Sequence, residues 1–217
     1  MAAADLAPLP KPAMRGWLHA GMTPVVLLAG ILLIVLAPAG APRLGAAVWL
    51  AGALILFGTS AVYHRGNWTE TVRLWLQRAD HSNIFVFIAA TYTPLTLALL
   101  EGTQRVVLLS LVWGIAAAGV GLTLLWPGRP RWLDVALYVP MGWVALGWLG
   151  EFWASGGPAV VILLLTGGVI YTAGAAVYAL KRPNPSPKVF GYHEIFHACT
   201  IAAAACHFAS IAVAVLG

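Results

Sequence analysis

Residues 20–38 read AGMTPVVLLAGILLIVLAP, with no charged side chain among them. A helix rises about 1.5 Å per residue, so this run reaches ~28 Å, close to the ~30 Å hydrocarbon core of a bilayer. Backbone polar groups there have no water to bond, which leaves the α-helix as the structure for so long and so uniformly apolar a run. Lys11 and Arg15 stand before it, and no convincing cleavage site follows, so it reads as a retained span rather than a signal peptide.

The same texture repeats along the chain. Apolar runs lie at 19–38, 44–64, 80–100, 105–125, 132–150, 159–180 and 192–216. Between them fall the expected helix stops: Pro38 to Pro42, Glu101-Gly102, Pro127 to Pro130, Gly156-Gly157-Pro158, and Pro183 to Pro187. The segment from Arg65 to Arg78 carries Arg73, Leu74, Trp75 and Leu76, the pattern of a short amphipathic piece lying at the interface. Of the 217 residues, 61% are hydrophobic and 9% charged, against about 25% charged in a soluble domain. The expectation is an all-α polytopic membrane protein, a seven-helix bundle over 19–217 preceded by a short N-terminal segment, 1–18. No sizeable soluble domain fits in what remains.

Charge supports the same reading. The net charge of +5 is spread over short loops and forms no dense patch, which argues against nucleic acid. With the N-terminus inside, ten of the twelve Lys and Arg residues fall on the inner side and only Arg43 and Arg105 outside. The positive-inside rule then puts the N-terminus in the cytoplasm and, after seven crossings, the C-terminus outside. Cys199 and Cys206 lie about 10 Å apart along one helix, too far for a bridge within it, and read as small packing residues. Most of the ten tryptophans, including Trp17, Trp68, Trp126 and Trp132, lie near span ends as an aromatic belt would.

Against this apolar background the ionisable residues stand out, and each inside a span is a functional hypothesis. His64 closes the second span, with Ser60 one turn earlier. Asp80 and His81 open the third, and His193 and His197 open the seventh. Alternating span directions bring all three ends to one level of the membrane, the cytoplasmic one. His193 and His197, four residues apart, share one helix face. Two imidazoles so placed can bind one metal, and His64 supplies a third nitrogen. Three neutral ligands and an open position are the arrangement of a catalytic zinc. Asp80 is then a fourth ligand or the holder of a bound water, and Ser60 orients Asp80, the water or a carbonyl.

Each residue alone has a plainer reading. A lone histidine at a helix end is commonly interfacial, Ser60 can bond its own backbone, and Asp80 can pair with Arg78 or Arg65. His81 lies about 100° around the helix from Asp80 and stays outside the ligand set. His207, about 15 Å beyond His197, cannot reach the same ion and reads as a buried structural residue; His19 reads as interfacial. It is the coincidence of three histidines and a carboxylate at one depth that favours metal.

Ser60-Ala-Val-Tyr-His64, Arg78-Ala-Asp80-His-Ser and His193-Glu-Ile-Phe-His197 resemble the haemolysin III family, the bacterial branch of the progestin and adipoQ receptors (PAQR). That group lies within a superfamily of membrane hydrolases that includes alkaline ceramidases, and Arg15-Gly-Trp-Leu-His19 is also similar to the branch. The resemblance implies seven helices, a cytoplasmic N-terminus and a bacterial inner-membrane location. It also implies Zn2+ held by His64, His193 and His197, with Asp80 reaching it through water and Ser60 nearby.

Two functions follow as expectations. One is a zinc-dependent hydrolase in which Asp80 and Ser60 are catalytic and the substrate is a membrane lipid amide or ester. The other is a membrane sensor or regulator in which zinc only clamps spans together. A lytic protein would need an exportable form or a continuous polar pore, and the residues indicate neither.

Overall fold

Apolar runs ended by proline and glycine produce an all-α chain. The computed structural model describes residues 11–126 and 128–217, so residues 1–10 of the expected N-terminal segment lie outside the described residues. The helices are α1 (Trp17–Leu36), α2 (Ala41–Arg65), α3 (Glu70–Leu99), α4 (Gly102–Leu125), α5 (Arg131–Gly142), α6 (Leu149–Leu180) and α7 (Tyr192–Leu216), with a 3-10 turn at Val144–Trp148 joining α5 to α6.

Among the described residues, six helical stretches are long and apolar enough to cross a membrane: α1 to α4, the continuous Trp132–Leu180, and α7. The expected fifth and sixth runs are thus one helical stretch of 49 residues. It is not straight. Gly157 inside it has φ 75° and ψ 179°, outside the helical region. The Tyr138 ring lies 6.5 Å from that of Tyr171, and Trp143 Nε1 donates to Thr172 Oγ1 at 3.0 Å. Residues more than twenty-five apart in sequence can meet this way only if the stretch folds back on itself near Gly157. Tyr92 of α3 holds the 3-10 turn in place: its hydroxyl donates to Gly142 O at 2.7 Å and accepts from Ala145 N–H at 2.9 Å.

A second difference concerns residues 65–78. The amphipathic piece expected to lie separately forms the first turns of α3, because no helix breaker stands between Glu70 and Asp80. Its Val72, Leu74 and Trp75 remain exposed.

The interior is organised around α3, which packs against α2, α4, α5, α6 and α7. Small residues let α2 and α3 come close. A Cβ on Gly45 would stand 2.6 Å from Pro94 Cα, and one on Gly52 would stand 2.5 Å from Ala90 Cβ. Without a water-driven force between helices in lipid, such close backbone packing is a main source of association. On the outside, Leu28, Leu32 and Val35 of α1 are exposed, as a lipid-facing surface requires. Trp49 departs from the aromatic belt: it is buried in the core against Phe208.

Candidate metal centre

His64 is the penultimate residue of α2 and His193 the second of α7, so both side chains leave their helices at a terminus, where neighbouring elements leave room. The start of α7 is fixed by Glu194, whose carboxylate accepts the Gly191 N–H at 2.8 Å and the Arg15 Nε–H at 2.5 Å. This pairs orphan donors at a helix start and lets a carboxylate lie buried with a cation beside it. His197 follows one turn after His193 on the same face.

The three imidazoles converge. His64 Nε2 and His193 Nε2 are 3.3 Å apart, and one nitrogen from each of His64, His193 and His197 lies within 4.8 Å of the others. Zn–N bonds of about 2.0–2.1 Å in a tetrahedron place ligand nitrogens about 3.3–3.4 Å apart. The His64–His193 pair already has that spacing, and all three are nitrogen donors of the kind zinc takes. The residues fit the ion.

Asp80 faces this group from α3. Its Oδ2 is 3.7 Å from His64 Nε2, too long for a direct hydrogen bond and suited to a bridging water. Ser60 lines one pocket together with Asp80 and His197. The plainer alternative, Asp80 paired with Arg78 or Arg65, is not what forms: those guanidinium groups lie over the rings of Trp75 and Trp17 instead. All five expected residues (Ser60, His64, Asp80, His193 and His197) therefore meet.

Three other histidines complete the picture. His81 does stay outside the ligand group; its Nδ1 faces Asp134 Oδ2 at 3.7 Å. His207 lies deeper, with Nε2 3.3 Å from Leu164 O. His19 corrects the interfacial reading. It is only 3% exposed and stacks face to face on His197, ring centroids 3.8 Å apart and planes within 7°. Its two ring nitrogens find no partner among the described residues.

Sequence reasoning missed Asp134, Tyr138 and Tyr171. Asp134 is buried and held by Arg129, which also donates to Thr123 Oγ1 at 2.8 Å. It lines a small cavity together with Asp80, His193 and His197. Tyr138 lines that cavity too, and also a mainly apolar one walled by α3, α5, α6 and α7. Tyr171 similarly borders both the apolar cavity and the pocket holding Ser60, Asp80 and His197. Both tyrosine hydroxyls are buried with no partner among the described residues. They stand at the junction of the polar centre and the apolar space.

The pattern that defines the family described as "Haemolysin-III related" matches residues 8–208, a stretch that includes all five converging residues. The chain belongs to the haemolysin III family. Among relatives in this family, it is 32% identical over 155 residues to the Hemolysin-3 homolog of Bacillus subtilis (strain 168), covering 71% of this chain and 70% of that protein. It is 30% identical over 103 residues to Hemolysin-3 of Bacillus cereus, covering 48% and 47% respectively, so this second match spans about half of each. Family membership and the six apolar helical stretches together make this haemolysin III protein an integral membrane protein.

Proposed function

We propose that this haemolysin III protein is a zinc-dependent hydrolase that cleaves an amide or ester bond within a membrane lipid. The observation that carries the reading is the junction just described. Tyr138 and Tyr171, whose hydroxyls are unpartnered among the described residues, line a mainly apolar cavity, and each also lines a pocket that holds Asp80 and His197 of the polar centre. Apolar space with a few convergent polar groups beside it is what such a substrate needs.

His64, His193 and His197 would hold the ion. A zinc ion bound there would lower the pKa of a coordinated water toward about 7 and polarise a carbonyl. Asp80 takes a proton from the attacking water and delivers it to the leaving oxygen or nitrogen, so that water and the acyl bond become a fatty acid and a free alcohol or amine. Ser60, in the same pocket as Asp80, offers its hydroxyl to orient the carboxylate for that transfer. The tyrosine hydroxyls offer donors to the lipid's polar atoms, and the space beyond them takes the acyl chain.

Topology belongs to the same proposal. A straight helix of 49 residues would be about 73 Å long, more than twice a bilayer core. Folded back at Gly157, the Trp132–Leu180 stretch crosses twice, which gives seven crossings in all. The basic-residue asymmetry then supports a cytoplasmic N-terminus and a metal centre at the inner face of a bacterial cytoplasmic membrane.

A zinc clamp without chemistry is the second reading. It is favoured by one fact, that the ligands tie α2 to α7, which are far apart in sequence. A direct Asp80 ligand would close the site and favour the clamp; the neighbouring apolar cavity favours hydrolysis. The test is elemental analysis of the purified protein, followed by incubation with lipid amides and esters. Wild type should contain zinc and release fatty acid. Asp80→Ala should keep the zinc and lose the release. Zinc-loaded protein that releases nothing from either lipid class leaves the clamp.

A further inference from the structure

The metal centre has a second approach. Along α3 the order is Arg73, Gln77, Asp80, and then Phe87, Thr91 and Leu95 of the apolar cavity. Arg73 and Gln77 line a separate vestibule, which also has His64, Asp80 and His193 on its walls. The vestibule and the apolar cavity thus lie on opposite sides of Asp80 along one helix.

The charge of this vestibule is one-sided. Lys11, Arg15 and Arg73 line it, and among the described residues its one carboxylate is Asp80. Orientation in the membrane requires cations on one side of the bilayer, not facing a particular hollow. Lys181, Arg182 and Lys188 satisfy that rule without lining the vestibule. A concave site lined by one sign of charge concentrates ligands of the other sign.

Two of these cations are held in place by a built element. Residues 13 and 14 bond to the loop before α7: Ala13 N–H donates to Lys188 O at 2.9 Å, and Met14 N–H to Val189 O at 3.1 Å. Gly16 follows at φ +80°, where a Cβ would come 2.7 Å from His64 Cβ, so the segment passes directly over a metal-site histidine. Arg15 uses its Nε–H for Glu194 and makes no other side-chain hydrogen bond among the described residues. A guanidinium has five N–H donors, so most of its fork remains for an oxyanion. Tyr63 and Tyr192 add phenol groups to the same walls.

We propose that this vestibule takes the phosphate of an anionic lipid headgroup. The substrate then lies across the metal centre, phosphate among Lys11, Arg15 and Arg73, acyl chain in the apolar cavity, and acyl carbonyl between them. This rests on the hydrolase reading and narrows its substrate to lipids whose phosphate headgroup carries a net negative charge. Charge-assisted bonds from Arg and Lys are the ordinary means of holding such a group.

The test uses full-length, zinc-loaded protein in neutral detergent. Phosphatidylglycerol and phosphatidylcholine with identical acyl chains are compared for fatty-acid release, and for retention on the protein by native mass spectrometry. The expected result is a preference of at least about 10-fold for the anionic lipid in both measurements. Arg73→Gln and Lys11→Gln should lose that preference, and Lys181→Gln, outside the vestibule, should keep it. Equal release and equal retention of the two lipids would overturn the proposal while leaving the hydrolase standing. Preferential retention without any release would keep the headgroup site and remove the chemistry. Inorganic phosphate that displaces the anionic lipid as well as glycerol phosphate carrying acyl chains does would show a free-anion site, and overturn the lipid assignment.

Discussion

α2, α3 and α7 run without a non-helical residue, whereas the Trp132–Leu180 stretch is interrupted by a 3-10 turn and again at Gly157. The unbroken helices carry all three candidate ligands and Asp80. The interrupted stretch carries Asp134, Tyr138, Trp143 and Tyr171, which wall the cavities instead. The contrast has a physical basis. Ligand nitrogens must hold their spacing to within about 0.5 Å, which regular, closely packed helices provide. Irregular backbone at membrane depth is tolerated where it is buried in protein or lines a cavity.

The comparison is most open to attack through the unbroken half. His193→Ala removes one of three nitrogens, and zinc affinity should fall by more than the 10–100-fold typical of a changed outer-shell partner. Chelator competition reads this directly. A variant that holds zinc as tightly as wild type would mean the three-histidine group is not the metal centre.

Gly157→Ala addresses the interrupted half. No atom lies within 4 Å of the position a Cβ would take, so the whole cost is backbone strain at φ +75°. Such a conformation costs a residue with a side chain about 1–3 kcal/mol. Thermal unfolding in detergent should show that loss, with zinc affinity unchanged because no ligand depends on the bend. Loss of zinc along with stability would show the two halves to be less separate than their geometry indicates.

How far each half could be read in the sequence follows the same division. Ser60, His64, His193 and His197 were legible because they lie near helix ends and because i, i+4 spacing is geometry that survives into any fold; Asp80, expected at a helix start, lies ten residues inside α3. The apolar runs were legible by length and composition, though the fifth and sixth form one helical stretch. Tyr138 and Tyr171 were not, since a lone tyrosine in an apolar run has no spacing partner, and their meeting depends on the reversal at Gly157. Asp134 was hidden similarly; its neighbour Arg129 lies five residues earlier across a Pro-rich corner, and its other partner, His81, is in α3. His19 was misread because its place against His197 depends on where α1 docks, which no local pattern records. The interfacial piece at 65–78 was misplaced because amphipathicity says which face is wet, not where a helix begins.

His19 sharpens the comparison from within the ordered half. Its ring lies parallel to that of His197, centroids 3.8 Å apart, so stacking is the contact through which it can act on that ligand. His19→Ala should weaken zinc binding about 10-fold, the lower end for residues that orient a ligand. His19→Phe keeps an aromatic plane there and should restore most of it. It should also raise stability, because two buried ring nitrogens without partners among the described residues are removed. Equal zinc affinity in all three proteins would reduce His19 to packing.

The smallest expected effect lies where the two halves meet. Tyr138 is 2% exposed and its hydroxyl has no partner among the described residues, so in the absence of a lipid it costs stability. Tyr138→Phe keeps the ring that packs against Phe85 and Tyr171 and removes only the oxygen. Unfolding should become harder by about 1 kcal/mol. If that oxygen bonds the lipid's polar atoms, the same substitution should raise KM for the lipid several-fold while leaving zinc content untouched. A variant that is both more stable and equally active would make the hydroxyl a packing accident, and the junction between metal centre and cavity would then rest on Tyr171 alone.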